Sequence, residues 1–354
     1  MRIAQVCPRY YPYIGGVETH VRQVSERLAK KGFEMEVLAT VQSKKLPAKE
    51  VINGVVVKRF NSWAPREAYY ISNELRKYLD ENSGNYDIVH AHNYHALPAL
   101  YAALAKSKNR LLFTPHYHGS GHTFFRSLLH IPYRHLGKTI FNKADKVICV
   151  SHYERNLVLE DFDLAEEKVV VVPNGVDLEE FKGLKKNVKN RRNLLSVGRL
   201  EKYKGLQHLI RVLPRLNDDV TLDIVGKGPY KENLIRLARR LGVYDRVKFF
   251  QDLPRTELLQ KYADADVFLL LSEHEAYGLC VAEALCAGAP CIVANASALR
   301  EWVDDEACFG IDCPINLDKL VCLINNVIGK GVKKLKVLDW NEVTMEIISL
   351  YEQT

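Results

Sequence analysis

The sequence lacks any run of roughly 18 or more apolar residues, the length that a membrane-crossing helix needs, so no hydropathic span is expected. It lacks a CxxC pair. Its eight cysteines stand singly in apolar settings such as VICV, GLCV and ALCAG. That usage speaks against a disulfide framework and a zinc site, and for reduced, buried thiols in a cytosolic compartment. It also lacks GxGxxG, so a dinucleotide fingerprint is excluded. Charge of one sign does not dominate. The formal net charge is +7, which favours anionic partners (nucleotide phosphates, acidic lipids, nucleic acid) without choosing among them. The opening stretch MRIAQVCPRYYP reads as a strand start and not as a signal peptide.

What is present is a chain of 354 residues, 47% hydrophobic, enough for two ordinary domains and too long for one core. The most informative stretch is Ser272 to Pro290, SEHEAYGLCVAEALCAGAP. A short apolar run, Val267–Leu271, precedes it and reads as a buried parallel strand. Glu275 follows the strand, Tyr277-Gly278 makes a bend, and Leu279–Ala287 reads as a helix stopped by Gly288 and Pro290. In open parallel sheets ligands bind beyond the carboxyl ends of strands. A helix start offers unpaired N–H groups and partial positive charge, which suits phosphate. Glu275 and Glu283 then stand where each carboxylate can accept hydrogen bonds from sugar hydroxyls. The alternative is that Glu275 caps the helix and Glu283 is a solvated helix residue.

The first half alternates strands and helices, which predicts a parallel, doubly wound sheet. Strands are expected at Ile3–Cys7, Glu36–Thr40, Val55–Phe60, Ile88–His90, Leu111–Thr114, Lys146–Val150 and Val169–Val172. Helices are expected at Val17–Lys31, Ser72–Glu81, Pro98–Ser107 and Glu154–Leu159. Gly15-Gly16 follows the first strand and permits a close backbone approach to a phosphate or sugar, or simply makes a turn. In FTPHYHGSGHT, His116 is the first histidine after a strand end, where a catalytic side chain projects. A hydrogen bond to a backbone carbonyl is its plainer role. Its neighbours His118 and His122 do not complete a zinc motif. Residues 122–146 combine aromatic and basic residues. They fit a helix packed on the sheet with a basic edge in solvent better than a surface docked on anionic membrane. No nucleic-acid motif accompanies the charge.

Residues 181–193, FKGLKKNVKNRRN, read as a polar linker after the PNGVD turn (Pro173–Asp177). The second half repeats the alternation. Leu194–Val197 ends at Gly198-Arg199, with Lys204 just beyond, two cations suited to a diphosphate. Leu222–Val225 ends in a glycine turn beginning at Gly226. Val247–Phe250 leads to Leu253-Pro254, and the fourth strand leads to Glu275. The Asp264-Ala265-Asp266 triplet imitates a metal motif, but it lies at the amino end of its strand, away from the other four ends.

Taken together, the E-x7-E pair, SVGRLEKYKG, GGVETHV, TPH, DIVHAH and PNGVD resemble a retaining glycosyltransferase of family 4 with the GT-B fold. The resemblance spans nearly the whole chain. It implies an α/β protein of two Rossmann-like, doubly wound domains facing a cleft. Residues 1–175, with a crossover helix in 340–354, would form the acceptor side, and 176–339 the donor side. It implies a nucleotide-diphosphate sugar of UDP or GDP type and a hydroxyl acceptor, lipid-linked or not, in glycolipid, polysaccharide or glycoconjugate synthesis. No metal or other cofactor is implied. Arg199 and Lys204 would hold the diphosphate, Glu275 the donor sugar and Glu283 the ribose. Gly198, Gly226, Leu253, Gly278 and Leu279 would line the donor, Gly15 and Gly16 would approach the diphosphate, and His116 would stand beside the transferred sugar.

The resemblance implies same-face attack with retained anomeric configuration, for which no glycosidase-type carboxylate pair is needed. Two features depart from the family. Gln251 stands where glycine is common, and Ala296-Ser297-Ala298-Leu299-Arg300-Glu301 stands where Gly-Gly-x-x-E is usual, Glu301 matching and the glycines not. Two other readings stay open on the same fold: a non-catalytic binding or membrane-docking protein, and a sugar-nucleotide epimerase.

Overall fold

The computed structural model describes residues 1–43, 45–119, 134, 136–187, 191–332 and 337–353. The chain divides into two compact units, Met1–Gly175 with Trp340–Thr354, and Val176–Asp339.

The first unit holds strands β1 (Arg2–Cys7), β2 (Glu34–Val41), β3 (Lys49–Ile52), β4 (Val55–Asn61), β5 (Ile88–His92), β6 (Arg110–Thr114), β7 (Lys146–Cys149) and β8 (Val169–Val171). They form one sheet in the order β3-β4-β2-β1-β5-β6-β7-β8. All neighbours are parallel except β3 and β4. The sequence reading missed β3, because KEVI is short and none of its four residues is buried. The turn that makes it was legible: Asn53 (φ 49°) and Gly54 (φ 84°) form a two-residue hairpin turn of the Asn-Gly kind. Central strands are buried on both faces, as the unbroken burial of IVHAH in β5 shows. Helices Gly16–Lys30, Asn73–Asn82, Leu97–Leu104, His152–Phe162 and Trp340–Glu352 belong to this unit. The last is anchored through Tyr351, whose hydroxyl lies 3.0 Å from Gln5 Nε2 and 2.8 Å from His90 Nδ1.

The second unit holds β9 (Arg192–Val197), β10 (Val220–Val225), β11 (Val247–Phe250), β12 (Val267–Leu270), β13 (Cys291–Ala294) and β14 (Cys308–Ile311). Their order is β11-β10-β9-β12-β13-β14, all parallel. Successive strands run outward from β9 to β10 and β11, and the chain then returns to lay β12 on the other side. The order therefore reverses between β9 and β12, and the loops leaving those two strands diverge to opposite faces. Such a switch point is where open sheets of this kind take ligands. VFLL of β12 is wholly buried, each side chain contributing ~1.5–3 kcal/mol.

The described part of the expected linker 181–193, residues 181–187 and 191–193, is not free. Lys186 Nζ reaches Asp266 Oδ1 at 2.7 Å and the Ala265 carbonyl at 3.2 Å, while the Asn187 backbone N–H donates to Asp264 Oδ1 at 2.9 Å. Its end, Arg192-Asn193, is already in β9. Composition suggested solvent, but the two aspartates supply anchors that composition does not show. The same contacts give Asp264 and Asp266 a structural job at the amino end of β12. No helix among the described residues is long and apolar enough to cross a membrane.

Candidate functional site

The best-formed group of charged side chains lies at the β9/β12 switch point. After β9 the chain passes Gly198-Arg199, makes a short 3-10 turn at Lys202–Lys204 and enters the Leu206–Val212 helix through Gly205. A Cβ on Gly205 would fall 2.2 Å from the Leu271 carbonyl oxygen, so only glycine lets this turn press against the end of β12. The Glu273 N–H donates to the Tyr203 carbonyl at 3.1 Å and ties the two loops together. This contact delivers Lys204 Nζ onto Glu275 Oε1 as a close ion pair, with side chains only 14% and 16% exposed. Burial alone would lower the lysine's pKa. The Glu275 carboxylate and the Tyr203 phenol outweigh it and hold the ammonium above its ordinary value. Lys204 therefore carries its charge at every physiological pH. Arg199 is half exposed and reaches Glu201 at 3.4 Å. Gly198, Arg199, Lys204 and Leu270 line one small hollow.

Glu275 is held in backbone as well as side chain. Its N–H donates to Ser297 Oγ at 3.0 Å, and its carbonyl accepts from the Ala298 N–H at 3.3 Å. Trp302 Nε1 donates to the Tyr277 carbonyl at 2.8 Å. The departure at Ser297 thus supplies a hydroxyl that braces the acidic turn, which sequence comparison alone could not show. Gly278, at φ 101°, turns the chain into the Leu279–Cys286 helix, and among the described residues no side chain caps that helix. Glu275 is therefore no helix cap. The uncapped start leaves the Gly278-Leu279 N–H groups to carry the positive end of the helix.

Glu283 is not a solvated residue either. Its side chain is 17% exposed, and both oxygens are engaged: Arg255 Nη1 donates to Oε1 at 2.6 Å and Tyr262 Oη to Oε2 at 2.9 Å. Arg255 opens the helix Arg255–Asp264 directly after Leu253-Pro254. Gly226 (φ 146°) belongs to the protein's own packing, since a Cβ there would lie 1.9 Å from the Gly198 carbonyl oxygen. It sets the end of β10 against the end of β9.

The first unit places His116, Gly15 and Gly16 at the carboxyl edge of its own sheet. His116 follows β6 with φ 47° and is half buried. Its Nε2 has no hydrogen-bond partner among the described residues, so that nitrogen makes no carbonyl contact with them. Its ring lies 5.3 Å from His20 and 6.0 Å from His92. Sequence reasoning gave no role to His20, His90 or His92, yet all three are fully buried here. Asn174 Oδ1 lies 2.7 Å from His20 Nδ1 and Gln5 Oε1 lies 2.5 Å from His92 Nε2. Both oxygens accept, so each imidazole carries its proton on the bonded nitrogen and leaves the other bare. Burial lowers the pKa of all four, His20 to about 4, and keeps them neutral. The signal was available: the strings GGVETHV and DIVHAH both put histidine at strand or helix positions that the parallel order brings to one edge. Gly16 differs from Gly226, because a Cβ on it would meet nothing within 4 Å. Gly15 is backed by Glu18, whose carboxylate is paired to Arg9 Nε at 2.8 Å.

Part of the aromatic and basic segment 122–146 lies outside the described residues, including His122. In the described part Arg134 pairs with Asp161 at 3.0 Å, and Ile140 and Phe141 are fully buried in the first unit's core. The structure so brings Gly198, Arg199, Lys204 and Glu275 together, sets Gly278 and Leu279 at the adjoining helix start, and ties Glu283 to the Leu253 loop through Arg255. Among the described residues no group of three or more His, Cys, Asp or Glu is placed to hold a metal ion.

Comparison with known proteins agrees along the whole length. Residues 14–180 match the family described as Glycosyltransferase Family 4, and residues 177–338 match Glycosyl transferases group 1. An uncharacterised glycosyltransferase of Methanocaldococcus jannaschii is 27% identical over 99% of this chain and 98% of that one. An MMP alpha-(1->4)-mannosyltransferase of Mycolicibacterium hassiacum is 24% identical over 100% of this chain and 98% of its own. Among solved structures, the sucrose-phosphate synthase of Thermosynechococcus elongatus superposes with a TM-score of 0.80 at 19% identity, covering 99% of this chain and 98% of that one. HepE of Anabaena in complex with UDP-glucose gives 0.78 at 18% identity, with 99% of each chain covered. With two parallel-sheet Rossmann-like units and both family matches, the chain belongs to the family-4 type of glycosyltransferases and has their GT-B fold.

Proposed function

We propose that the protein transfers a hexose-type sugar from a nucleotide-diphosphate sugar to a hydroxyl acceptor with retention of anomeric configuration. The observation that carries this reading is the Lys204–Glu275 pair at the switch point, between the Arg199 loop and an uncapped helix start. Breaking the sugar–phosphate bond leaves negative charge on the diphosphate. A fixed ammonium, a guanidinium and helix N–H groups stabilise that charge with little reorganisation. Glu275, held by Lys204 and Ser297, accepts hydrogen bonds from sugar hydroxyls, and Glu283 accepts them from the ribose. A diphosphate oxygen takes the acceptor's proton on the face from which it leaves. The cations Arg199 and Lys204 supply the positive charge a metal would bring, so the reading calls for none. His116 and the Gly15-Gly16 loop are the first unit's contribution to ligand binding. The solved Anabaena HepE complexes contain UDP and UDP-glucose, which makes UDP-sugars the first donors to test, followed by GDP-sugars.

A thermal-shift screen of UDP, GDP and their sugars, followed by nucleotide-release assays with hydroxyl acceptors, tests the reading. A ligand that binds only the folded form raises the melting midpoint. An α-linked donor giving an α-linked product by NMR supports retention. A β-linked product refutes it, and absence of any binding or transfer across the screen refutes the donor assignment.

A further inference from the structure

The Glu283 carboxylate is built into a frame. Arg255 occupies one oxygen and the fully buried Tyr262 the other. Arg255 is itself held from behind, with Nε and Nη2 donating to Glu180 Oε2 at 3.0 and 2.6 Å. Tyr262 packs on Phe268 of β12 with ring centroids 5.7 Å apart, so its hydroxyl cannot shift without disturbing the core. A carboxylate offers about two acceptor positions on each oxygen. One on each is used by the frame and one on each remains. Two remaining acceptors in one fixed plane suit a pair of adjacent hydroxyls, and do not suit a sugar that has lost one of them.

We propose that Arg255 and Tyr262 are positioning residues which set Glu283 to accept from both hydroxyls of the ribose 2′,3′-diol, so that the site selects ribonucleotide over 2′-deoxyribonucleotide donors. The inference rests on the assignment of Glu283 to the ribose under Proposed function. Neither residue touches the nucleotide. Both act through the orientation of one carboxylate. Arg255 also joins that carboxylate to the Leu253-Pro254 loop two residues before it, and so couples the ribose anchor to the loop assigned to the base.

The test uses the full chain and calorimetric titration with UDP and GDP, their 2′-deoxy counterparts and inorganic pyrophosphate. Leaving one carboxylate acceptor without its hydroxyl weakens the 2′-deoxy form by about tenfold or more in the parent protein. In Arg255→Met and Tyr262→Phe that preference is expected to fall below about threefold, with pyrophosphate affinity unchanged and Arg255→Lys restoring part of the preference. Tyr262→Phe removes only a hydroxyl and keeps the ring in the core, so its thermal midpoint stays close to the parent value. Arg255→Met leaves Glu180 and the 17% exposed Glu283 without their cation and lowers the midpoint, so its titrations are run at a temperature where its melting curve shows it folded. Adding Tyr262→Phe to Glu283→Gln is expected to cause no further loss. The proposal is overturned if both single variants keep the full preference, or if they weaken pyrophosphate and nucleotide alike, as a merely structural role would. Glu283→Gln separates the two levels. If it abolishes the preference while the frame variants retain it, the frame proposal alone falls. If Glu283→Gln itself retains the preference, or if no nucleotide binds, the ribose assignment falls and takes the proposal with it.

Discussion

Replacing Lys204 with methionine separates the two duties the structure gives it. Lys204 Nζ is in contact with Glu275, and both side chains are about one-seventh exposed. Removing one partner of a buried pair costs ~3–5 kcal/mol, because the other charge is left without compensation. Residual solvent contact reduces that to about half, so Lys204→Met should lose ~2 kcal/mol of second-unit stability in urea unfolding. Loss of a fixed charge stabiliser for the leaving diphosphate should cost a further ~10²–10³ in turnover. The double variant Lys204→Met/Glu275→Gln removes the orphaned charge and should recover most of the lost stability. It should recover none of the turnover, measured as nucleotide release at saturating donor. If Lys204→Met keeps turnover within about threefold of the parent, the charge is not used. If the double variant regains turnover in step with stability, the lysine serves packing alone.

Four further outcomes follow from particular residues. Gly16→Ala should leave the thermal midpoint within a degree or so, since its Cβ would meet nothing within 4 Å among the described residues beyond its chain neighbours and own helix backbone, yet reduce turnover at least tenfold by occupying space assigned to ligand; parent-level turnover would show that the space is unused. Gly226→Ala should destabilise the second unit by more than about 1 kcal/mol in urea unfolding, because it needs a left-handed φ and its Cβ would overlap the Gly198 carbonyl; a neutral substitution contradicts the packing. His116→Ala should reduce transfer while nucleotide affinity stays nearly constant; a large affinity loss by titration would place His116 in donor binding instead. The fourth concerns pH. His20, His90, His92 and His116 have folded pKa values below the unfolded value, His20 at about 4. The unfolded chain therefore binds more protons between the two values. Stability is full above about pH 6.5 and falls as pH drops toward 4, by up to ~1.4 kcal/mol per unit for each histidine. Chemical denaturation of the first unit between pH 7 and 5 should show this loss, and a flat profile would contradict the buried cluster.

Much of the architecture was legible because its signals are local. Apolar runs such as Val267–Leu270 and the bend at Gly278 carry strand and turn in their own composition. The order of strand ends that gathers Arg199, Lys204 and Glu275 follows from parallel alternation. What was not legible depends on long-range pairing. The segment 181–193 looked like a linker because Asp264 and Asp266, its anchors, lie nearly eighty residues on in the chain. Gly226 looked like a ligand glycine because the Gly198 carbonyl that excludes a Cβ belongs to another strand. Glu283 looked half free, since Arg255 and Tyr262 sit on a different helix at no helical spacing from it. The histidine cluster draws one member each from the first helix, β5 twice and the β6 loop, and only the sheet order unites them.

The most direct measurement is a crystal structure of the protein with UDP or GDP bound. The account predicts diphosphate oxygens within about 3 Å of Lys204 Nζ and of an N–H at the Gly278-Leu279 helix start, with the Arg199 guanidinium alongside and Glu283 on the ribose. A diphosphate bound elsewhere, with Lys204 still closed on Glu275 and no phosphate at the helix start, would contradict it.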